Sequence, residues 1–361
     1  MRTPSARLGL PVLGLVGEER GFSPRPSAAC ERMRLDDGRP LRVLQEIGRG
    51  AYATVSRALL GDDGGIQRRV AAKLFASVAS DEVSEVEAAL VRAAKRNGCV
   101  DHPNVVRTYD FSRWNGQPLL LTELVDGVSL AELHRAFTSY GRRMPLDLTL
   151  FIAVEIAEGL AAAHAARGHD GEALAVLHHA LSLREVLLSW NGEVKISDFE
   201  MSVACAASSS VRSASSIAGR IGAMAPEVAI GGASDARADV FSFGVLLREL
   251  LVGPRFRPGI TGAEAVRLAR EGYLEPVTFR PRLPRELESV MERALEMEPA
   301  DRYPNASALV ADLRPVALGM GVSDGRYFLR RTLEREWEIE EVTGQIRAVQ
   351  PEGGEGALDD G

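Results

Sequence analysis

The stretch Ala175–Glu200, AVLHHALSLREVLLSWNGEVKISDFE, constrains the fold of this chain more than any other. Val186–Ser189 and Glu193–Ile196 each have the length and apolar content of a short strand. Trp190-Asn191-Gly192 between them reads as a tight turn, because Asn and Gly adopt positive φ at little cost. A polar loop, His178 to Glu185, leads in, and an acidic Ser197-Asp198-Phe199-Glu200 leads out. The hairpin therefore predicts that the loop and Asp198 lie side by side at its open ends, which suits a site.

A second cluster of signals lies upstream. Leu41 to Ile47 reads as a strand entering a glycine-rich turn, Gly48-Arg49-Gly50-Ala51-Tyr52-Ala53-Thr54-Val55. Gly48 and Gly50 carry no Cβ, so their backbone N–H groups can approach phosphate oxygens. Another strand, Arg69 to Leu74, follows a Gly61-Asp62-Asp63-Gly64-Gly65 turn and carries Lys73. Lysine occurs only at Lys73, Lys95 and Lys195, whereas arginine is abundant. A lysine kept against that background points to a need for a compact ammonium. Ser80 to Arg96 reads as a helix, with Ser80 as its cap, Asp81 and Glu82 in its first turn and Asn97-Gly98 at its end. Its stripe is Val83, Val86, Leu90 and Ala94. At ~100° per residue, Glu87 falls about 40° from the stripe's centre, while Glu85 points nearly the opposite way. An inward carboxylate needs a partner.

Val105–Asp110 and Leu119–Leu124 have strand length, and Leu148–Ala166 is a long Ala-rich core helix in which His164 reads as structural. Met201 to Met224 is rich in Ser and Ala. Asp239-Val240-Phe241-Ser242-Phe243-Gly244-Val245 opens a buried helix that Gly253-Pro254 stops. Tyr327 to Val342 reads as a charged helix whose Leu329, Leu333 and Trp337 form a stripe that docks on the chain's own core. Pro351 to Gly361 reads as a disordered acidic tail.

The 361 residues suffice for one two-lobed core or two ordinary domains. A net charge of −7 with scattered positive residues argues against a nucleic-acid partner. Cys30, Cys99 and Cys205 form no metal-type pair, so a reducing, cytoplasmic compartment is expected. No apolar run approaches the ~20 residues that a membrane span needs. The run Leu8–Val16 only faintly imitates a signal peptide, being broken by Gly and Pro and followed by Glu18 and Glu19. It reads as a disordered leader, or as sequence ahead of a true start at Met33.

Taken together, these motifs resemble a eukaryotic-type protein kinase, in particular the serine/threonine kinases of myxobacteria. The family pattern runs H-R-D-x-S-P-x-N, hairpin, D-F-G. His178, Ser182, Asp198 and Phe199 match it. The family's Arg is His179, its catalytic Asp is Ala180, its Pro is Leu183, its metal-binding Asn is Glu185 and its final Gly is Glu200. The resemblance covers Leu41 to about Leu313. It implies an α+β bilobal fold, with a leader over 1–40, a β-rich small lobe over 41–125, a mainly helical lobe over 126–319, and a charged helix with an acidic tail over 320–361.

The resemblance also implies an ATP site. Its residues would be Ile47, Gly48, Gly50, Val55, Ala71, Lys73 paired with Glu87, Thr122, the hinge residues Glu123 and Val125, and Leu187. Asp198 and Glu185 would hold Mg²⁺ or Mn²⁺. Asp239 would brace the catalytic loop, Glu227 would pair with Arg302, and Ser208–Ser216 would lie in an activation segment. With Ala180 at the base position, no catalytic residue is expected. The implied protein is a bacterial pseudokinase that binds ATP and regulates or scaffolds a protein partner, such as an active kinase or another signalling protein. The alternatives are a weak or unconventional serine/threonine kinase and a nucleotide-free interaction module.

Overall fold

The computed structural model describes residues 31–50, 53–76, 83–199, 221–276, 282–322, 324–342 and 345–349. The Ser80 cap, Glu200, Ser208–Ser216 and the acidic tail lie outside the described residues.

Six antiparallel strands form the small lobe: β1 (Glu31–Arg34), β2 (Pro40–Arg49), β3 (Ala53–Leu60), β4 (Arg68–Phe75), β5 (Thr108–Trp114) and β6 (Gln117–Glu123). Their order is β1-β2-β3-β4-β6-β5. Alternation along β6 sorts its leucines. Leu120 packs with Val86, Leu90, Ala93 and Ala94 of helix α1 (Val83–Asn97), whereas Leu119 and Leu121 join Leu35, Leu41, Ala58, Val70 and Ala72 on the other face. The register sets Val55 opposite Lys73, Lys73 opposite Leu120, and Ala71 opposite Thr122. The leader expected over 1–40 therefore ends too late. Glu31–Arg34 pairs with β2, and Leu35 is buried. A strand of sequence ERMR gives no apolar alternation, and edge strands tolerate such charge.

The large lobe opens with a small sheet of order β7-β8-β9, from β7 (Gly127–Ser129), β8 (Val186–Ser189) and β9 (Val194–Ile196). Gly127 is required there, since a Cβ would lie 1.8 Å from the Leu188 carbonyl oxygen. The helices whose bounds fall within the described residues are α2 (Leu130–Thr138), α3 (Leu146–His164), α4 (Pro226–Ala229), α5 (Ala236–Leu251), α6 (Gly262–Arg270), α7 (Arg285–Ala294), α8 (Ala306–Gly319) and α9 (Gly325–Glu336). Helix α3 sits at the centre, buried along one broad face and half-buried along the other, and packs on α5, α8, α9 and β9. Among the described residues, no helix is long and apolar enough to cross a membrane.

The C-terminal segment corrects one boundary. The charged helix ends at Glu336, and the chain turns into a two-stranded hairpin, β10 (Glu338–Val342) and β11 (Gln345–Val349). The apolar spacing Ile339, Val342, Ile346, Val349 is itself helical, so periodicity favours a helix where the chain pairs strands. Docking on the chain's own core is as expected: Leu329 and Leu333 are buried, and Trp337 packs edge-on against Trp190 at 6.0 Å. Arg326 donates to the Asn191 carbonyl at 3.2 Å and to Glu193 at 2.9 Å. Gly192 (φ +80°) lies so close to the Arg326 carbonyl that a Cβ would sit 2.2 Å from it.

Candidate nucleotide site and catalytic loop

The β8–β9 hairpin forms as its sequence requires, and it carries the loop and Asp198 at its open end. Ala175, His179 and Asp198 have φ of +48°, +71° and +65°. Non-glycine residues held there cost on the order of 1–3 kcal/mol each, and such strain gathers at functional sites.

The loop is held from below by Asp239 on α5. This fully buried carboxylate accepts from the backbone N–H of His178 (2.8 Å) and His179 (2.7 Å) and from His164 Nε2 (2.9 Å). His164 Nδ1 accepts from the Ala306 N–H, so its proton resides on Nε2. Burial alone would raise Asp239. The His164 hydrogen bond and the neighbouring donors outweigh it and hold the carboxyl below its ordinary value. His178 donates through Nε2 to the Ser197 carbonyl at 3.0 Å, and its ring lies 5.0 Å from that of Phe199. Asn97 of α1 donates to the Phe199 carbonyl at 2.8 Å. Nearby, Arg302 is fully buried and meets both oxygens of Glu227, at 2.8 and 3.0 Å. The frame around the loop is intact.

Several positions within that frame carry other side chains than the pattern described above. Ala180 is buried at 2% exposure and offers a methyl group. Lys73 pairs with Asp198 Oδ1 at 2.7 Å. Glu87 turns inward as its helical position requires, yet it meets Arg113 of β5. The expected Lys73–Glu87 pair is therefore corrected to Lys73–Asp198 and Arg113–Glu87. Helical phase fixed the face of Glu87, while the placement of α1 against β5 fixed its partner. Glu185 is also engaged elsewhere, since its Oε2 accepts from Ser182 N–H (3.0 Å) and Ser182 Oγ (2.5 Å). Glu185 Oε2 and Asp198 Oδ1 are thus each engaged by donors of the chain itself. Among the described residues, no group of three or more His, Cys, Asp or Glu side chains is placed to hold a metal.

The remaining residues expected around a nucleotide differ in burial from their chain neighbours. Val55, Ala71, Thr122 and Leu187 are half-buried, whereas their alternate neighbours Val70, Ala72, Leu121, Val186 and Leu188 are buried. Ile47 is likewise half-buried at the end of β2 before the glycine turn. The Glu123 carboxylate is held by Lys195 Nζ at 2.9 Å and by the Arg107 N–H at 3.3 Å, so the hinge is anchored from β9. The Val125 N–H lies outside the strands and has no backbone partner among the described residues. A Cβ on Gly48 would meet nothing within 4 Å, and Gly50 N–H closes the turn on the Ala53 carbonyl at 2.9 Å. One contact escaped the sequence reading: Arg57 of β3 reaches Asp126, just past the hinge, at 2.6 Å. No local pattern joins residues 57 and 126.

Burial pushes the imidazoles of His179, His102 and His134 below their ordinary value of 6.5; for His179 the Asp239 charge opposes this in part. A group whose folded pKa is depressed contributes stability above its unfolded pKa, and that contribution is lost as pH falls. The melting temperature should therefore drop as pH is lowered from 7.5 through 6.5 toward 5.5, and His179→Gln should flatten part of the slope. A melting temperature constant across that window would contradict these burials.

A small antiparallel lobe, a hinge, and a helical lobe carrying a braced loop define a bilobal kinase-type domain. Residues 41–313 match the family of protein tyrosine and serine/threonine kinases, and the chain belongs to that family. It is 30% identical over 273 residues to the tyrosine-protein kinase MasK of Myxococcus xanthus, covering 74% of this chain and 42% of MasK. It is 31% identical over 293 residues to the serine/threonine-protein kinase PknL of Mycobacterium bovis, covering 79% of this chain and 67% of PknL. With PrkC of Bacillus subtilis the figures are 26% over 316 residues, 86% and 44%. The chain thus spans less than half the length of MasK and PrkC. In fold it is similar to the kinase domain of Mycobacterium tuberculosis PknI, at a TM-score of 0.55 and 21% identity, covering 76% of this chain and 95% of that one.

Proposed function

We propose that this protein is a pseudokinase that binds ATP and acts by conformation, as a regulatory or scaffold module for an active kinase or another signalling protein. The observation that carries the reading is Ala180. Phosphoryl transfer rests on positioning and electrostatics, and the base orients the acceptor hydroxyl and takes its proton. A buried methyl group does neither. The loss of such a base is worth roughly 10²–10⁴-fold in rate. Starting from the 1–100 s⁻¹ typical of kinases, roughly 1 to 10⁻⁴ s⁻¹ would remain. Nucleotide binding is supported by the apolar cleft, the open Val125 N–H and Lys73, which can leave Asp198 for a phosphate.

Two measurements test the proposal together. ATP at 100 times its Kd should stabilise the protein by about 2.7 kcal/mol, and Lys73→Ala should abolish most of that shift. Radiolabelled ATP, with generic acceptors or the protein itself, should give no more transfer than a Lys73→Ala, Asp198→Ala double variant. Robust transfer that vanishes in the double variant would establish an unconventional kinase instead. Absence of any shift at millimolar ATP with Mg²⁺ or Mn²⁺ would favour a nucleotide-free interaction module.

A further inference from the structure

We infer that Glu185 is a brace of the catalytic loop and not a metal ligand, so that a divalent ion accompanying the nucleotide is held through Asp198 without it. The metal half of this inference rests on the nucleotide reading above; the brace does not.

Residues 182–185 form the glutamate half of an S-x-x-E cap, joined to a serine turn in place of the reciprocal bond. Glu185 Oε2 takes both donors of Ser182, the N–H at 3.0 Å and the Oγ–H at 2.5 Å, and Ser182 Oγ accepts from the Arg184 N–H at 3.3 Å. The glutamate half of this arrangement recurs elsewhere in the chain, within a complete capping box. At the start of α2, Glu132 Oε2 takes the Ser129 N–H and Oγ–H, both at 2.7 Å, and Ser129 Oγ accepts from the Glu132 N–H at 3.3 Å. There the arrangement caps helix α2.

At Glu185 the backbone is fastened as well. Its carbonyl accepts from Ser197 N–H at 2.8 Å and Ser197 Oγ at 3.1 Å, and its N–H reaches the Ser182 carbonyl at 3.3 Å. The residue thus ties the loop to the segment that carries Asp198. Protein kinases place two ions, one on the aspartate after the hairpin and one on the loop asparagine. A glutamate at the second position, committed to Ser182, does not fit that pair of sites. The cap also turns onto its own loop a negative charge that would otherwise oppose the phosphates.

The brace is tested on the full chain in EDTA without nucleotide. Glu185→Ala and Ser182→Ala should each lower the melting temperature by about 2–4 °C, and the double variant should lose little more than either alone. The metal half is tested by titrating Mg²⁺ against the ATP-induced thermal shift. The midpoint for Glu185→Gln should stay within about twofold of wild type, while Asp198→Asn should move it by more than about tenfold. An unchanged melting temperature for Glu185→Ala, or additive losses in the double variant, overturns the brace. A tenfold change in midpoint for Glu185→Gln makes Glu185 a metal ligand and overturns the second half. If wild type shows no ATP shift, the metal half falls with the nucleotide reading, and the EDTA series still decides the brace.

Discussion

Replacing Asp239 with alanine is expected to cost about 3–5 kcal/mol, because it strands three buried hydrogen-bond donors at once. The carboxylate is fully buried and accepts from three directions at once: two backbone N–H groups of the catalytic loop and the imidazole of His164. Alanine would leave all three donors facing a void, and each unsatisfied buried donor costs roughly 1–3 kcal/mol. Set against a typical total of about 5–15 kcal/mol, the variant should sit near the threshold of folding at 37 °C. His179, at φ +71°, has its backbone N–H tied to Asp239 at 2.7 Å, so the turn loses this restraint with the carboxylate. Asp239→Asn should fall between wild type and alanine, because an amide presents one acceptor oxygen and must turn its NH₂ toward a donor. Urea denaturation provides the measurement, as a lower midpoint at unchanged slope. A loss below about 1 kcal/mol for alanine would show that the loop does not hang on this residue.

Arg302→Met should be comparably destabilising, again by about 3–5 kcal/mol. The Arg302 side chain is completely shielded from solvent. Its guanidinium donates to both Glu227 oxygens and to the carbonyls of Glu296, Arg237 and Met297, and it stacks over Phe241 at 4.8 Å. Methionine fills part of the volume and satisfies none of the five acceptors. Lysine should do little better, since one ammonium cannot reproduce a planar fork with five donors. A double-mutant cycle with Glu227→Gln should return a coupling above about 1 kcal/mol. Additive losses would mean that the carbonyls, and not the ion pair, carry the contribution of Arg302.

Much of this was legible in the sequence where the signal is local. Asn191-Gly192 sets the hairpin turn, alternation sets the sheet, and the buried DVFSFGV run marks α5, while the place of Asp239 beneath the loop came from the family resemblance. Glu87 shows where local rules stop. Periodicity chose the face of α1, but no rule of spacing gives the position of a helix against a sheet, and that position decided between Lys73 and Arg113. Glu185 is the reverse case. Ser182-Leu183-Arg184-Glu185 carries a capping signature, and the likeness to a metal-binding motif drew the residue to another role. Edge strand β1 was hidden because its residues are charged, and Arg57–Asp126 because its members are far apart in sequence.

The packing of α9 and Trp337 on the tip of the β8–β9 hairpin bears on how the chain folds during synthesis. The hairpin emerges early, yet Trp190 stays open until Leu329, Leu333 and Trp337 arrive, an interval of roughly 7–30 s at about 5–20 residues per second. These are contacts of high sequence separation, which slow folding and leave apolar surface waiting. A nascent chain lacking α9 should accordingly be a client of chaperones, and the last turn of that helix should set the moment at which the large lobe is released from them.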